Sequence, residues 1–478
     1  MQMTVVLTIL WKELREHLRE PWLCVGVLVL LVLLTAGLWG GERRFRELAA
    51  VQQTLQEEAR RDWMEQDSPD AHTATHQGTF VYKRFSPLMA FDPGVEGLLG
   101  TKLRLESHQQ QAMTDPLQME LIDPLQFDVS TPALLMQVVL PFFMILLTFS
   151  AVSREWEQGT LPLVLSTGQS WRVFVLGKMF AFLAMSLLVV IPLGLFLLGN
   201  LWRMHHIAGM SAGNFTLRTL SLAVCCLLYL AGWSFLSLAI SARAGSSRQA
   251  LIILLSLWTF VVVLVPRAAV HVAEWAAPLP SLEEVERDRQ DAVEYGDNGE
   301  HAYTKLYAEL EAELLRKHGV SDPEDLPLNL TGAQLLAAEN LTDRIYDESR
   351  ARVERVYAAQ DRFAKRFGVL SPYLALRTAS MGLSGTDRLH HEAFGRAGEE
   401  YRRLLVRTMN EFDTVLEKPT SATSGPEVWG LVPEFRYQFP AAWDVLSGLG
   451  FPLLILLCWC LATGLWAIIS PGDVLKRS

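Results

Sequence analysis

Six long apolar runs constrain this chain more than any other feature of its sequence. Each contains about 20 residues with few or no charged side chains, enough to cross about 30 Å of hydrocarbon as a helix. A backbone inside hydrocarbon must satisfy its own hydrogen bonds, so the runs predict transmembrane helices. The third run carries Lys178 near its start, where the side chain is expected to snorkel to the membrane interface. The predicted spans are residues 21–40, 132–152, 174–198, 217–240, 250–270 and 441–469.

Two polar inserts interrupt the spans, at residues 41–131 and 271–440. In the second insert, apolar residues recur near 3.6-residue spacing over 341–367 and 394–416, which predicts two amphipathic helices. The first insert opens with a polar helix near residues 43–65. The predicted fold class is therefore an all-α membrane protein with six transmembrane helices and two mainly helical extracytoplasmic insertions. The remaining predicted segments are an amphipathic helix at 1–20, short loops at 153–173, 199–216 and 241–249, and a tail at 470–478.

The charge distribution excludes a nucleic-acid-binding function. The two inserts carry 29 Lys and Arg against 45 Asp and Glu, whereas the rest of the chain carries 13 and 7. Nucleic-acid binding requires a clustered basic surface that replaces phosphate counterions, and here the polar regions are acidic. All five cysteines lie in the apolar runs, so a disulfide-stabilised scaffold is excluded as well.

Basic residues near the span ends predict the orientation of the chain. Short loops that remain in the cytoplasm are enriched in Lys and Arg. With the N-terminus inside, the short inner segments carry ten basic residues, while the short outer loop carries only Arg203. Both termini are therefore expected in the cytoplasm and both inserts outside. In a bacterium, this places a multi-pass protein in the inner (plasma) membrane, with its inserts in the periplasm.

The first 20 residues have the pattern of a helix that lies flat on a membrane surface. An apolar face that includes Leu14 opposes a charged face, directly before Pro21 begins the first span. The residues assigned to this interface helix are Lys12, Glu13, Leu14, Arg15 and Arg19.

The loop after the second span combines charged and turn-forming residues. It contains Arg154, Glu155, Glu157, Gly159, Thr160, Leu161 and Arg172, and the series continues with Gly177 and Lys178 at the start of the third span. Together with the amphipathic helix before the first span, this series resembles the permeases of ABC-2 type transporters. The two large inserts in a six-span chain resemble a subfamily of these permeases that is classed under a domain of unknown function.

The resemblance implies a non-catalytic permease subunit of an ATP-driven exporter. A separate ABC ATPase subunit would bind ATP and magnesium, and this chain would hold no cofactor. The loop would contact that ATPase through the charged side chains of Arg154, Glu155 and Glu157, and Gly159 would permit a sharp turn. Further implied partners are a second permease copy or a related permease, membrane lipid, and a periplasmic protein that contacts the inserts. The cargo is left open.

Two other functions remain as alternatives. In the first, ATP hydrolysis moves the outer helices against a periplasmic partner, and nothing crosses the membrane; we call this mechanotransmission. In the second, the chain is a membrane hydrolase that uses Ser211, because residues 209–213 match the GxSxG pattern. That pattern normally follows a strand, which this sequence does not predict here, so hydrolysis is the weaker alternative.

The motifs for nucleotide and metal binding are incomplete. Gly177–Lys178 is followed by Met179, where a Walker A loop has Ser or Thr. The adjacent pairs His205–His206 and His390–His391 lack the spacing of metal ligands on a helix and are expected to be exposed polar residues. No metal site is therefore predicted.

Overall fold

The protein is an all-α membrane protein whose computed structural model describes residues 2–111, 113, 131–295, 301–415 and 425–469. It is 78% helical, with almost no strand in the described ranges. The predicted tail at 470–478 lies outside the described residues. Six helical segments are long and apolar enough to cross a membrane: Pro21–Glu65, Pro132–Glu157, Trp171–Gly199, Ala212–Ser241, Ser247–Ala276 and Gly450–Ile468.

The helices and strands are numbered in chain order. The part before the third span contains α1 Gln2–Arg19, α2 Pro21–Glu65, α3 Ala71–Gln77, β1 Thr79–Tyr82, β2 Lys102–Glu106, β3 Gln109–Gln110, α4 at residues 132–148, α5 Ser153–Glu157 and α6 Thr160–Ser166. The next three helices are α7 Trp171–Ala208, α8 Ala212–Ser241 and α9 Ser247–Ala276. The second insert and last span contain α10 Leu282–Glu294, α11 Ala302–His318, α12 Leu330–Phe367, α13 Pro372–Ser384, α14 Arg388–Val415, α15 Pro426–Trp429, α16 Ala442–Gly448 and α17 Gly450–Ile468.

The loops near residues 153–173 and 241–249 and the two inserts lie at opposite ends of the spans. We call the end with α1, α5, α6 and the α8–α9 connection the loop side, and the other end the insert side. Helix α8 is the central span, since 78% of its most apolar stretch is buried, against 22% in α2. The exposed apolar faces of the outer spans are those that hydrocarbon would cover.

Two spans contain a π-helical turn, Leu135–Val139 in α4 and Phe260–Leu264 in α9. A π turn breaks the regular i→i−4 ladder and changes which carbonyls are free. The hydroxyl of Tyr229 donates to the Gln137 carbonyl at 2.9 Å, and Ser371 Oγ donates to the Val261 carbonyl at 2.7 Å. Side chains from neighbouring elements thus satisfy backbone groups that hydrocarbon would leave unpaired.

Helix α2 passes without interruption from the first span into the first insert. The predicted span at 21–40 and the predicted polar helix at 43–65 are parts of this single 45-residue helix. Its insert-side half is not a solvated rod, because Phe45, Leu48 and Trp63 are buried. At Gly41 a Cβ atom would lie 2.3 Å from the Ala90 carbonyl oxygen, so the glycine permits close approach of the 3₁₀ turn Pro87–Ala90.

A small antiparallel sheet, which the sequence did not predict, lies in the first insert. Its strand order is β1-β2-β3, with Thr79 opposite Leu105 and Glu106 opposite Gln109. Strand β2 alternates buried and exposed residues, and Leu103 and Leu105 pack with Phe394 of α14. The sheet therefore joins the first insert to the second.

Helix α13 lies between the second insert and the membrane bundle. Its buried residues Leu376, Ala379 and Leu383 share one hydrophobic core with residues of α8 and α17. The two predicted amphipathic helices of the second insert correspond to α12 and α14, which flank α13. The insert is thus held directly on the spans.

The last predicted span, residues 441–469, consists of two helices. Helix α16 ends at Gly448, and α17 begins at Gly450 after Leu449 takes φ −94° and ψ 3°. Hydropathy alone did not separate them, because both segments are apolar. Only α17 meets the length and composition of a span.

Candidate functional site: the first loop and its charged anchor

The first loop, residues 149–170, folds into two short helices joined by a sharp turn. Helix α5 ends at Glu157, Gly159 adopts φ +69°, and α6 begins at Thr160. Glycine enters this left-handed region without the steric cost that other residues incur. Thr160 Oγ1 donates to the Glu155 carbonyl at 3.0 Å and braces the turn. The turn expected at Gly159 is therefore present.

The loop has one buried face and one exposed face. Leu161 is fully buried in a cluster with Val175 of α7 and Leu238 of α8. On the outward side, Glu157 is exposed, and Leu163 is 67% exposed. The loop is thus packed on the spans and still presents a surface to another molecule.

A charge cluster of Lys12, Glu13, Glu155 and Lys178 anchors the loop. Lys178 Nζ donates to Glu13 Oε1 at 2.6 Å and to Glu155 Oε1 at 2.9 Å, and Lys12 Nζ donates to Glu155 Oε1 at 2.9 Å. The Lys178 side chain is only 1% exposed. The expectation that Lys178 snorkels to the interface is therefore wrong, because two carboxylates hold its ammonium inside the protein.

The cluster joins three segments that are far apart in sequence. Glu13 belongs to α1, Glu155 to α5 and Lys178 to α7. Burial opposes the charged form of the half-exposed Lys12, but its pKa is raised because the Glu155 carboxylate accepts its hydrogen bond. Removing a buried member such as Lys178 leaves its partners charged and desolvated, whereas Lys12 lies at the exposed edge of the cluster.

Helix α1 packs on the bundle with its apolar side, where Val6 is buried, but Glu13 of its charged side is buried as well. Glu13, assigned to the outward charged face, is buried against α7, whereas Trp11 and Leu18 are exposed. A close approach at Gly177 explains this orientation, since a Cβ atom there would lie 2.6 Å from Ile9 Cβ. Gly177 and Lys178 thus form the surface on which α1 packs.

The remaining residues assigned to these two segments form a charged rim. Leu14 is half-buried on α1. Among them, Arg15, Arg19, Arg154 and Arg172 are exposed basic residues on the loop side.

Glu157 connects the first loop to the second. Its carboxylate accepts hydrogen bonds from Ser247 N at 2.8 Å and Ser247 Oγ at 2.9 Å, at the N-terminus of α9. A negative charge is favourable there because the first backbone N–H groups of a helix have no partner within it. Nearby, Ser241 Oγ accepts from the backbone N–H groups of Val152 and Ser153, both at 3.1 Å.

Sequence reasoning missed Ser241 and Ser247 as part of this site. The pair Ser246–Ser247 before an apolar run is a helix-start signal, because Ser side chains cap the first turn. Ser246 Oγ indeed accepts from Gln249 N at 3.2 Å. That signal locates the start of α9, but the contact with Glu157 depends on the tertiary fold.

Ser211 and His390 have structural partners, whereas the side chains of His205 and His206 lie outside the described part of the structure. Ser211 caps α8, where its Oγ accepts from Asn214 N, and it follows helix α7 instead of a strand. His390 is buried, with its ring nitrogens 2.6 Å from Asp387 Oδ1 and 3.1 Å from Arg218 Nη1. The expectation of an exposed His390 is wrong, because this ring is buried between Asp387 of the second insert and Arg218 of α8. His391 is half-buried.

Comparison with known families gives a match to only part of the chain. Residues 282–438, about a third of the sequence, match the family model described as Domain of unknown function (DUF3526). The matched region begins with α10 and ends shortly before α16. No curated protein matches the chain.

Proposed function

We propose that this chain is the transmembrane permease subunit of an ATP-driven ABC-2 type exporter, coupled to a separate ATPase through the first loop. The observation that carries the proposal is the α5–Gly159–α6 corner, which is packed on three spans and keeps exposed polar and apolar residues on its outer face. A docking element needs both properties, since a flexible loop would absorb a partner's movement instead of passing it on.

The connections of the loop support its role in transmission. The charge cluster ties it to α1 and α7, and Glu157 ties it to α9. A tilt imposed on α5 and α6 would therefore reach several spans together. Packed elements of this kind move as rigid bodies, because protein interiors are close-packed and deform little.

In the proposed orientation, the loop side lies at the cytoplasmic face of an inner membrane and the inserts lie in the periplasm. The exposed basic residues on the loop side agree with the enrichment of cytoplasmic loops in Lys and Arg. This orientation also gives the loop access to a cytoplasmic ATPase.

The proposed assembly contains two permease copies, or a related pair, and two ATPase subunits. Six spans form half of a pathway, and several of them leave broad apolar faces exposed in the single chain. Lipid and the second copy would share these faces. ATP and magnesium are assigned to the partner ATPase, and this chain supplies no catalytic group.

Mechanotransmission is a second candidate because one specific contact favours it. Arg218, in the insert-side half of α8, is fully buried and donates to the Pro440 carbonyl at 2.7 Å and to the Leu383 carbonyl at 3.3 Å. Movement of the central span would therefore pull directly on α13 and on the segment before α16. An ATP-driven change could act on a periplasmic partner by this route without cargo crossing.

The test is to purify the tagged chain in mild detergent after expression with its neighbouring genes, and to assay the eluate for ATPase activity. We expect a stoichiometric ATPase whose activity rises in the complex. Glu157→Lys and Gly159→Pro are expected to leave the chain inserted and to abolish this stimulation. Gly168→Pro, at the far end of α6, is the control that shows whether a proline elsewhere in the loop also abolishes the stimulation. A chain that purifies without any ATPase would contradict the proposal.

A further inference from the structure

Three histidines from two elements of the first insert converge near the sheet. His72 and His76 lie four residues apart on α3 and therefore face the same side of that helix. His108 lies in the turn between β2 and β3. The ring centroids are 4.7, 5.0 and 5.4 Å apart, and one ring nitrogen of each histidine lies within 4.8 Å of the others.

Each of the three rings is oriented by a hydrogen bond through Nδ1. His72 Nδ1 lies 2.9 Å from Asn410 Oδ1, and His76 Nδ1 lies 3.2 Å from Ser107 Oγ. His108 Nδ1 lies 2.6 Å from Glu339 Oε1. Because each Nδ1 has a partner outside the triad, the Nε2 atoms are the ones left for a shared ligand.

The groups that contact Nδ1 resemble those that orient the histidines of known metal sites. Metal-binding histidines commonly give their other ring nitrogen to a carboxylate, a carbonyl or a similar group, which sets the tautomer and the direction of the lone pair. The carboxylate of Glu339 and the amide oxygen of Asn410 are acceptors, so they favour a proton on Nδ1 and a free lone pair on Nε2. His72 Nε2 and His76 Nε2 are 3.1 Å apart and hydrogen-bond to each other, and an ion bound by both nitrogens would replace this hydrogen bond.

The backbone at His108 is unusual. Its φ is +63°, and it is the single non-glycine residue with positive φ among those the structure describes. Such a conformation costs free energy and persists where surrounding contacts fix it. Here the Glu339 carboxylate also accepts from His108 N at 2.7 Å, and Arg402 holds Glu339 from the other side. The strained turn is thus held where its ring meets the other two.

We propose that His72, His76 and His108 bind one divalent transition-metal ion of the Zn²⁺ type. Imidazole nitrogen suits zinc and its neighbours, whereas calcium and magnesium prefer oxygen ligands. Three histidines leave a fourth position, and the exposure of His76 opens that position to solvent. This departs from the sequence-based expectation of no metal site, which considered only adjacent histidine pairs.

The site joins the two inserts. The ligands come from the first insert, but Glu339 belongs to α12 and Asn410 to α14. In addition, Asp413 Oδ2 accepts from His72 N at 2.8 Å. Bound metal would therefore stabilise the contact of α3 and the β2–β3 turn with the second insert, since an ion that binds only the folded arrangement favours it.

The experiment uses the full-length protein in detergent with a tag that contains no histidines. The protein is stripped with a chelator and titrated with Zn²⁺ against a chromophoric competitor, and Co²⁺ is added to report the ligand geometry by its visible absorption. We expect one ion per chain and a higher melting temperature with zinc. His76→Gln, at an exposed position, should lower the affinity at least tenfold and abolish the zinc-dependent rise in melting temperature.

Two further variants separate a metal site from a packing cluster. His108→Asn keeps a residue that tolerates positive φ, and it should weaken zinc as His76→Gln does. Asn410→Ala, which removes a positioning residue, should lower the affinity about 10- to 100-fold. His318→Gln, at the end of α11, is the control and should leave the zinc affinity and the melting temperature unchanged. Absence of stoichiometric zinc in the unmodified protein, or equal binding in His76→Gln, would overturn the proposal.

Discussion

Buried ion pairs occur on both sides of the spans, but the two sides use them differently. On the loop side, two lysines and two glutamates join α1, α5 and α7 at a single point. In the second insert, Arg402 and Arg403 of α14 contact a row of carboxylates at every fourth position of α12, namely Glu339, Asp343 and Asp347. The first arrangement joins three helices at one place, and the second fastens two long helices along their length.

The two arrangements allow different movements. The first loop is held by the charge cluster, by the contact of Glu157 with Ser247 and by the buried Leu161, so its displacement would reach several spans. Several ion pairs along α12 and α14 resist both sliding and separation of these two helices. We therefore expect the loop side to transmit movement and the α12–α14 pair to carry it as one body. The following substitutions test the stability of one region or the other.

The largest effect is expected for Arg402→Met. Arg402 is 1% exposed and donates to Glu399 at 2.9 Å and to Glu339 at 3.3 Å, so its loss removes the fully buried cation that these carboxylates share. Arg403 and His108 remain as their partial partners. The folded state should lose about 3–5 kcal/mol. Hydrogen exchange should rise in α12 and α14 and stay unchanged in α1. Arg407→Met, an exposed position on the same helix, is the control.

Lys178→Met should release α1 from the bundle. The expected loss is about 3 kcal/mol, because Glu13 loses its main partner while Glu155 keeps Lys12. Lys12→Met should cost less than about 1 kcal/mol, since that side chain is 47% exposed. Adding Glu13→Gln to Lys178→Met should recover part of the loss. Thermal unfolding of the four proteins measures this, and equal losses for the two lysines would refute a buried joint.

Gly177→Ala tests the close approach of α1 to α7. The new Cβ would overlap Ile9, and over-filled contacts of this kind cost about 1–3 kcal/mol. Gly194→Ala on the same helix meets nothing within 4 Å and should be neutral or stabilising by up to about 1 kcal/mol. Protease sensitivity of α1 in the two variants checks the difference.

A smaller effect is expected from pH in the second insert. Burial, together with the charge of Lys83, lowers the pKa of His391 to about 4. Between about pH 6.5 and pH 4 the unfolded chain therefore binds a proton that the folded one does not, and stability falls as the pH falls. His391→Gln should flatten the melting temperature across this range. An unchanged slope in that variant would assign the pH dependence to another group.

The spans were predictable from sequence because a hydrocarbon environment imposes length and composition on every crossing helix. The predicted turn at Gly159 is also present, since glycine is the residue that adopts its positive φ without strain. In contrast, hydropathy could not reveal that Gly448–Gly450 separates two helices, or that α2 continues through Gly40 and Gly41.

Contacts between distant segments account for most of what sequence reasoning missed. Lys178 is predicted at an interface by its position in the third span, yet its environment is decided by Glu13 and Glu155, which lie 165 and 23 residues away. The same holds for His108, which meets His72 and His76 only through the fold of the small sheet. The spacing of His72 and His76 was a usable local signal, because i and i+4 share a helix face.

Docking of the first loop on an ATPase can be tested by photocrosslinking in the intact complex. A crosslinking residue would replace Leu163, which is 67% exposed on α6, or Leu282, which is 89% exposed at the start of α10 and serves as the control on the insert side. We predict a crosslink to an ATPase subunit from position 163 and none from position 282. Crosslinking of the ATPase from position 282, or no crosslink at 163 in a complex that contains the ATPase, would contradict the account.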